Sequence, residues 1–291
     1  MPDQEGLAIP SFHGRNAFSV DVEDWYQVSD FEDVVAASAW DRYESRVVRN
    51  TERILSLLDA HGVKGTFFVL TWNAERHPDL VRRIARAGHE IASHGHRHRL
   101  IFEQTPGEFR EDLARSKGIL EDLTGEPVLG YRAPSFSLTA RSLWALDVML
   151  ECGLRYDSSV FPVSDRLYGI PDARRFPFVI RQDGDRELVE FPMSTTRLAG
   201  RNWPLGGGAY LRVLPYPYIR WGMRRVNAEG YPALVYLHPW EVDPGQPRLR
   251  SHGKRGVSVH YVNLHRTERR LARLLSDFEF APVRDVLGLK P

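Results

Sequence analysis

Apolar and polar positions follow two different rhythms along the first half of the chain. Short, largely apolar runs, such as KGTFFVL at residues 64–70, are typical of buried strands. Longer segments with apolar residues three and four positions apart, such as SRVVRNTERILSLLDAHG at 45–62, indicate helices with one buried face. The two kinds of segment alternate, which predicts parallel strands in one sheet with helices packed outside it.

The same reasoning predicts the remaining elements. Further strands are predicted at 16–24, 90–98 (running into a loop), 128–134 and 154–160, and further helices at 77–89, 105–125 and 139–153. The alternation ends after about residue 160. Beyond it the sequence predicts a β-hairpin at 179–195, a glycine-rich loop and a helix at 206–230, a buried strand at 232–243 and a last helix at 265–278.

These elements predict an α/β fold: a distorted (β/α) barrel with parallel strands, outer helices and an inserted region of β-hairpin and loops. We expect a single domain over residues 1–291. Its core is expected at about 16–245, the insert at about 161–210 and the C-terminal helix at about 262–280.

Composition mainly excludes certain partners, cysteine-based sites and membrane spans. The net charge of +1 gives no indication of nucleic acid or an anionic membrane as a partner. Cys152 is the only cysteine, which excludes an intrachain disulfide and a cysteine-based zinc site. No apolar run approaches the roughly 20 residues of a membrane span, and residues 1–16 lack the pattern of a secretory signal. We therefore expect a cytoplasmic protein, and the sequence leaves its oligomeric state open.

Residues that carry chemistry collect where the predicted strands end. In a parallel α/β barrel those ends form one face, and active sites lie there. The residues concerned are Asp21, Glu23 and Asp24 after the first strand, His94, His96 and His98 after the third, Arg132 and Pro134 after the fourth, Asp157 after the fifth, and His238, Trp240 and Glu241 after the late strand. Imidazole nitrogens and carboxylate oxygens are ligands of divalent metals such as zinc, and a cation would offset the repulsion among the crowded carboxylates.

Five motifs then give the chain a specific resemblance. DVED, HGHRH, RAPSF, YDSSV and LVYLH occur in that order. They resemble the motifs of polysaccharide deacetylases of the carbohydrate esterase family 4 type, over about residues 16–245. The longer stretches SVDVEDWYQV, YDSSVFP and LHPWE are similar to a bacterial subgroup found with exopolysaccharide and exosortase gene clusters. The resemblance implies a metal-dependent hydrolase that removes N-acetyl groups from an amino-sugar polymer or its precursor.

The resemblance implies a single metal site. His94 and His98 would bind one divalent metal, with Zn²⁺ expected ahead of Co²⁺ or Ni²⁺. The third ligand is either Glu23 or Asp24, because the usual adjacent Asp-Asp pair is replaced here by Asp-x-Glu-Asp. His96 is expected to be exposed or to lie behind the ligands. A second departure is Gly95, which replaces the usual Ser or Thr after the first histidine and implies a loop held in a different way.

The resemblance also implies acid–base roles. Asp21 would be the catalytic base, with Arg132 as its partner, and His238 would be the general acid, oriented by Asp157. The substrate would be an N-acetylated oligosaccharide or polysaccharide. The candidate substrate contacts, most of them aromatic because sugar faces pack on aromatic rings, are Trp25, Tyr26, Pro134, Trp203, Tyr210 and Trp240. The glycine run at 206–208 receives no role.

Two other functions compete with deacetylation. The first is hydrolysis of a cyclic amide by an allantoinase-like enzyme on the same fold, although the DVEDW and LHPWE stretches favour a sugar. The second is carbohydrate binding without catalysis. The presence of both candidate metal histidines and of the candidate acid argues against this second function.

Overall fold

The computed structural model describes residues 13–164, 168–249 and 259–290. Its strands are β1 (Asn16–Val22), β2 (Thr66–Val69), β3 (Glu90–Ser93), β4 (Gly130–Tyr131), β5 (Tyr156–Asp157), β6 (Phe178–Asp183), β7 (Arg186–Glu190), β8 (Thr195–Leu198), β9 (Arg201–Pro204), β10 (Leu234–Leu237) and β11 (Phe280–Ala281). Its α-helices are α1 (Val47–Ala60), α2 (Thr71–Arg76), α3 (Pro78–Arg86), α4 (Pro106–Thr124), α5 (Ala145–Glu151), α6 (Gly208–Val213), α7 (Tyr216–Ala228), α8 (Thr267–Asp277) and α9 (Val283–Val286). Short 3-10 helices lie at Ser29–Phe31, Ala37–Arg42, Ile101–Glu103, Pro134–Phe136, Pro239–Val242 and Leu264–Arg266.

The main sheet is a mostly parallel, curled half-barrel. Its strand order is β10-β1-β2-β3-β4-β5-β7-β6, and β11 also pairs with β1. Every pairing from β10 to β7 is parallel, whereas β6 and β7 form an antiparallel hairpin. The helices surround this sheet, which confirms the predicted class of a distorted (β/α) barrel with an inserted hairpin. The domain limits given above remain a prediction.

Local sequence signals explain the longest helix. Thr105 accepts a hydrogen bond from the backbone N–H of Glu108, and Glu108 accepts one from the backbone N–H of Thr105, so the two residues form a capping box. The helix ends where Gly125 takes a left-handed conformation (φ +72°). Leu113 and Leu120, seven positions apart, are fully buried on its inner face. The prediction for 105–125 is therefore confirmed.

Several short elements do not appear in the sequence prediction. They are α2, the separate two-stranded hairpin of β8 and β9, β11 and α9. The predicted single helix at 206–230 is also two helices, α6 and α7, because Leu214 adopts the extended conformation that a residue before proline favours (ψ 147°). Among the described residues, no helix is both long and apolar enough to cross a membrane.

Candidate functional site

The ends of β1, β3 and β10 border a cavity of about 560 Å³. Its lining includes Asp21, Glu23, His94, His98 and His238. Parallel pairing of β10, β1, β2 and β3 brings the carboxyl ends of these strands to one side of the sheet. Residues predicted from three separate motifs therefore surround one space.

Glu23, His94 and His98 form a compact, buried triangle with potential ligand atoms within 4.8 Å of one another. Glu23 Oε2 lies 2.7 Å from His98 Nε2 and 3.8 Å from His94 Nε2. Ligand atoms about 2.0–2.2 Å from a tetrahedral zinc ion lie about 3.3–3.6 Å apart, so the observed spacing is close to that of a metal site. Glu23 Oε2 is buried and makes no well-formed hydrogen bond with any described residue. The three side chains therefore fit a divalent cation.

The protonation states of the triangle also suit a cation. His94 Nδ1 lies 2.8 Å from the carbonyl oxygen of Arg132, which favours a proton on Nδ1 and leaves the lone pair of Nε2 free. Burial lowers the pKa of His94 to about 4 despite the nearby carboxylates. Burial raises the pKa of Glu23, but the neighbouring histidines, led by His98 and His238, outweigh it and bring the pKa down to about 2. A neutral imidazole and an ionised carboxylate are the forms that bind a metal.

The loop between the two histidines explains the glycine that departs from the family pattern. Gly95 has a left-handed φ of +73°, and a Cβ there would lie 2.9 Å from Asp112 Oδ2. That same oxygen accepts the backbone N–H of His96 at 2.8 Å, while Gly95 donates its own N–H to Ser93 Oγ at 3.1 Å. His98 is also left-handed, with φ +52°. A side chain at position 95 would disturb the Asp112 contact and with it the approach of His98.

Two neighbours of the triangle, Asp24 and His96, make other contacts. Asp24 Oδ2 accepts hydrogen bonds from the backbone N–H groups of Arg46 and Val47 at 2.8 and 3.2 Å, so it satisfies the first turn of α1. His96 is buried, and its Nδ1 lies 3.0 Å from Thr71 Oγ1. Of the two carboxylates that the sequence leaves open, the structure places Glu23 beside the histidines and Asp24 at a helix end.

Asp21 is held by a buried arginine, as the motif resemblance implies. Arg132 is fully buried, and its Nη1 donates to Asp21 Oδ1 at 2.6 Å and to Ser19 Oγ at 2.8 Å. Its Nε and Nη2 donate to the carbonyl and hydroxyl oxygens of Ser158 at 3.2 and 3.0 Å. This network fixes the guanidinium and the carboxylate together. The other carboxylate oxygen, Asp21 Oδ2, lies 4.0 Å from His238 Nε2.

His238 has a carboxylate partner that the sequence prediction missed. Its Nδ1 lies 2.9 Å from Glu241 Oε1, which also accepts the His238 backbone N–H at 3.0 Å. Buried Arg212 donates from Nε to Glu241 Oε2 at 2.5 Å. Burial lowers the pKa of His238, but nearby carboxylates, led by Glu23 and Glu241, outweigh it and raise the pKa to about 9. His238 can therefore carry a proton on Nε2, the nitrogen nearer to Glu23 and Asp21.

The structure does not bring Asp157 to His238, contrary to the prediction. Asp157 is fully buried at the end of β5, and its Oδ1 accepts from Ser159 Oγ at 2.5 Å. Its partner across the parallel pairing with β7 is Glu190. Burial raises the pKa of both carboxyl groups, and the charge of Asp157 raises that of Glu190 further. The pair therefore retains a proton at pH values where exposed carboxyls have lost theirs.

Replacing Glu190 by Gln should flatten the dependence of stability on pH. Above the ordinary carboxyl values of 3.8 and 4.5, the folded pair keeps a proton that the unfolded chain has released. The free energy of unfolding of the wild type should therefore fall as pH rises, by up to about 1.4 kcal/mol per pH unit for one retained proton. Gln resembles the protonated acid and removes this titration. Urea unfolding from pH 4.5 to 8 measures the effect, with Glu187→Gln on the same strand as control. Equal slopes for Glu190→Gln and wild type would contradict the prediction.

Most of the predicted aromatic contacts are not open to a sugar. Trp25 and Tyr26 are 2% and 1% exposed and pack in a cluster with Trp40. Trp240 borders the cavity, but the rings of His238 and His260 already stack on it at centroid distances of 4.9 and 4.0 Å. Burial therefore leaves Trp25 and Tyr26 no ring face for a sugar, and Trp240, 5% exposed, is already stacked on two histidine rings. Trp240 instead donates from Nε1 to Glu23 Oε1 at 3.3 Å.

The remaining candidates lie closer to open space. Tyr210 lines the cavity and is partly exposed, with its hydroxyl 3.1 Å from that of Tyr168. Pro134 is buried, but it begins the turn that places Ser135 at the cavity wall with a left-handed φ of +50°. The glycine run permits close packing, because a Cβ at Gly207 would lie 2.1 Å from the ring of Tyr236.

Comparison with known families shows what parts of this chain are similar to. Residues 30–156 match the sequence profile described as polysaccharide deacetylase, and residues 158–288 match a domain of unknown function, DUF3473. Over residues 30–156 the chain is therefore similar to polysaccharide deacetylases. The candidate site combines both matched regions, because His94, His98 and Arg132 lie in residues 30–156 and Arg212, His238 and Glu241 in residues 158–288.

Individual relatives show the same partial similarity. The peptidoglycan-N-acetylglucosamine deacetylase of Bacillus cereus is 36% identical over 98 residues, which cover 33% of this chain and 36% of that protein. The chain spans only about a third of the length of the curated relatives it matches, at 36%, 36% and 39% for three of them. Among solved structures, a Mycobacterium smegmatis protein assigned to the polysaccharide deacetylases superposes with a TM-score of 0.64 at 23% identity, covering 99% of this chain and 97% of that one. Puue allantoinase superposes with a TM-score of 0.62 at 17% identity, covering 97% and 93%. These two likenesses establish the fold.

Proposed function

We propose that this protein removes N-acetyl groups from an amino-sugar polymer or its precursor and that it uses one divalent metal. The proposal is carried by the convergence at one cavity of a carboxylate–histidine triangle, an arginine-bound Asp21 and a glutamate-bound His238. Relatives named peptidoglycan-N-acetylglucosamine deacetylase and chitooligosaccharide deacetylase support an acetamido sugar as substrate. The stretches SVDVEDWYQV, YDSSVFP and LHPWE extend the proposal to exopolysaccharide biosynthesis.

The chemistry follows from the positions of the side chains. Glu23, His94 and His98 would hold the metal, with Zn²⁺ expected ahead of Co²⁺ or Ni²⁺. When bound, such a cation polarises the acetamide carbonyl and makes water more acidic. Asp21 Oδ2 accepts the proton that a water molecule loses as its oxygen adds to the carbonyl carbon. His238 Nε2 then donates a proton to the sugar nitrogen as the carbon–nitrogen bond breaks, and acetate and a free amine result.

The surrounding residues keep the base and the acid in position. Arg132 binds Asp21 Oδ1 and leaves Oδ2 for the water proton. Glu241 accepts a hydrogen bond from His238 Nδ1–H, so the transferable proton sits on Nε2. Arg212 fixes Glu241 from the other side. This division of tasks requires two protonation states at one site, an ionised Asp21 and a protonated His238.

Acetate release from N-acetylated oligosaccharides tests the proposal directly. Wild-type protein should release acetate from chitin-derived oligosaccharides, lose this activity with a chelator and regain it when Zn²⁺ or Co²⁺ is added. Asp21→Asn should abolish turnover without removing the metal, because Asp21 lies outside the triangle. Hydrolysis of allantoin without acetate release from sugars would favour the cyclic amide hydrolase. Oligosaccharide binding without hydrolysis by the metal-loaded protein would favour a binding protein.

A further inference from the structure

A second, larger groove of about 1580 Å³ lies beside the candidate site. The β8–β9 hairpin forms one wall, and residues 162–164 and 171–177 contribute the other. The hairpin is anchored to the rest of the protein because Asn202 donates to the carbonyl oxygen of Pro162 at 2.9 Å and Tyr218 donates to that of Pro204 at 3.2 Å. The groove is therefore part of the fold and needs no rearrangement to form.

The groove adjoins the cavity that is lined by Asp21 and His238. Tyr210 lines both spaces, and its hydroxyl lies 3.1 Å from that of Tyr168, which lines the cavity. An elongated ligand with one unit in the cavity can therefore extend past Tyr210 into the groove. The proposed substrate, a saccharide chain, is such a ligand.

The charge of the groove is strongly one-sided. Its lining includes four arginines and one aspartate: Arg174, Arg175, Arg197, Arg201 and Asp172. Arg175 pairs with Glu229 at 2.9 Å. Arg197 and Arg201 are exposed and have no ion-pair partner among the described residues. Guanidinium groups bind carboxylates through paired, charge-assisted hydrogen bonds, and a cleft lined by one sign of charge concentrates ligands of the opposite sign.

Exposed aromatic surface accompanies these arginines. Trp203 is 50% exposed and lies two residues after Arg201 in β9, so their side chains leave the same face of the hairpin. Tyr231, 36% exposed, lines the groove with Phe176 stacked on it at 3.9 Å. An aromatic ring beside a guanidinium offers an apolar face for a sugar ring and a donor group for a carboxylate on it.

We infer that this groove binds the continuation of the substrate glycan and that this glycan carries carboxylate groups, as a polymer of amino sugars and uronic acids does. The inference rests on the proposed function, because the cavity supplies the position of the acetamido sugar. It adds a binding region outside the acid–base centre, built mainly from residues 162–164, 171–177 and 197–204, and a substrate class, an anionic polysaccharide. Neutral chitin-like chains then fit the cavity but leave Arg197 and Arg201 without partners.

Binding of two hexasaccharides tests the inference, one from hyaluronan, which alternates glucuronate and N-acetylglucosamine, and one from chitin, which is neutral. Asp21→Asn serves as the parent protein, so that neither probe is hydrolysed. At low salt the hyaluronan hexasaccharide should bind more tightly than the chitin hexasaccharide. Added salt should reduce this difference in affinity. Arg197→Gln with Arg201→Gln should weaken hyaluronan binding by about 2- to 30-fold and leave the chitin oligosaccharide unchanged. Trp203→Ala should weaken both probes.

A matched double variant controls for net charge. Arg86 and Arg269 are exposed and do not line the groove, so Arg86→Gln with Arg269→Gln should leave both affinities unchanged. Equal affinity for the two probes in the parent, or equal weakening by both double variants, would overturn the inference. So would a change in oligomeric state of the groove variants without any change in hyaluronan binding, since the groove would then join copies of the chain. Acetate release by the wild type reports on the proposed function separately from these binding results.

Discussion

Replacing Glu23 by Gln should remove the metal from the protein, whereas replacing Asp24 by Asn should leave it in place. Glu23 Oε2 faces both histidines, and an amide oxygen is a much weaker ligand than a carboxylate. Changes behind a metal ligand already weaken binding by about 10- to 100-fold, so loss of the ligand itself should exceed about 100-fold. Metal titration of the chelator-treated variants, read by calorimetry, measures the difference without reference to activity.

Asp24→Asn is a matched control because it changes the adjacent carboxylate by the same chemistry. Burial raises the pKa of Asp24, so its surroundings tolerate a neutral side chain, and the Asn oxygen can still accept from Arg46 N and Val47 N. Asp24→Ala should retain the metal but lose about 1–2 kcal/mol of stability, since those N–H groups lose their acceptor. Retention of metal by Glu23→Gln together with its loss in Asp24→Asn would reverse the assignment.

The sequence predicts the sheet and its long helices because their signals are local and repeated. An apolar run such as residues 64–70 can form only a buried strand or helix, and its length favours the strand. The 3.6-residue period of α1 and the capping box of α4 are equally direct. The β8–β9 hairpin lacks such a signal, because its strands are four residues each and β9 has no buried position. Its stability comes from contacts with distant segments, which no local pattern encodes.

Some site residues are likewise predictable from the sequence, whereas others depend on distant packing. Order along the chain places Asp21, His94 and His238 at strand ends, and parallel pairing then brings them together. The order of motifs does not determine which of two adjacent carboxylates, Glu23 or Asp24, faces the histidines. That depends on the tight turn after β1, in which the backbone N–H of Glu23 donates to the carbonyl oxygen of Asp21 at 2.9 Å. Burial of Trp25 depends likewise on distant packing.

The sequence does contain a signal for the carboxylate partner of His238. Glu241 follows it by three residues, the spacing at which a side chain returns to the backbone N–H of a cap position, and the turn Pro239–Val242 forms that contact. By sequence Asp157 is equally suitable because it also ends a strand, but in the sheet it pairs with Glu190.

Replacing His238 by Ala should slow hydrolysis of an N-acetyl sugar by about 10²–10⁴-fold, the scale of one proton-transfer group. The sugar amine is a poor leaving group and requires a proton, whereas the phenolate of an activated aryl acetate does not. The same variant should therefore lose much less activity on the aryl ester. Metal content should remain near that of the wild type, because His238 is not part of the Glu23–His94–His98 triangle. Steady-state rates on both substrates, with metal analysis of the same samples, measure these three quantities.

Glu241→Gln separates positioning from structure in this prediction. Gln can still accept the Nδ1–H proton of His238 but loses the charge that binds Arg212, so the loss on the N-acetyl sugar should be smaller than for His238→Ala. As for His238→Ala, the loss should be larger on the N-acetyl sugar than on the aryl ester, since Glu241 acts through the imidazole. Comparable losses on both substrates in His238→Ala, with metal retained, would mean that His238 orients the substrate instead of donating a proton. Loss of metal would make His238 a ligand, and the roles of His94 and His98 would then change with it.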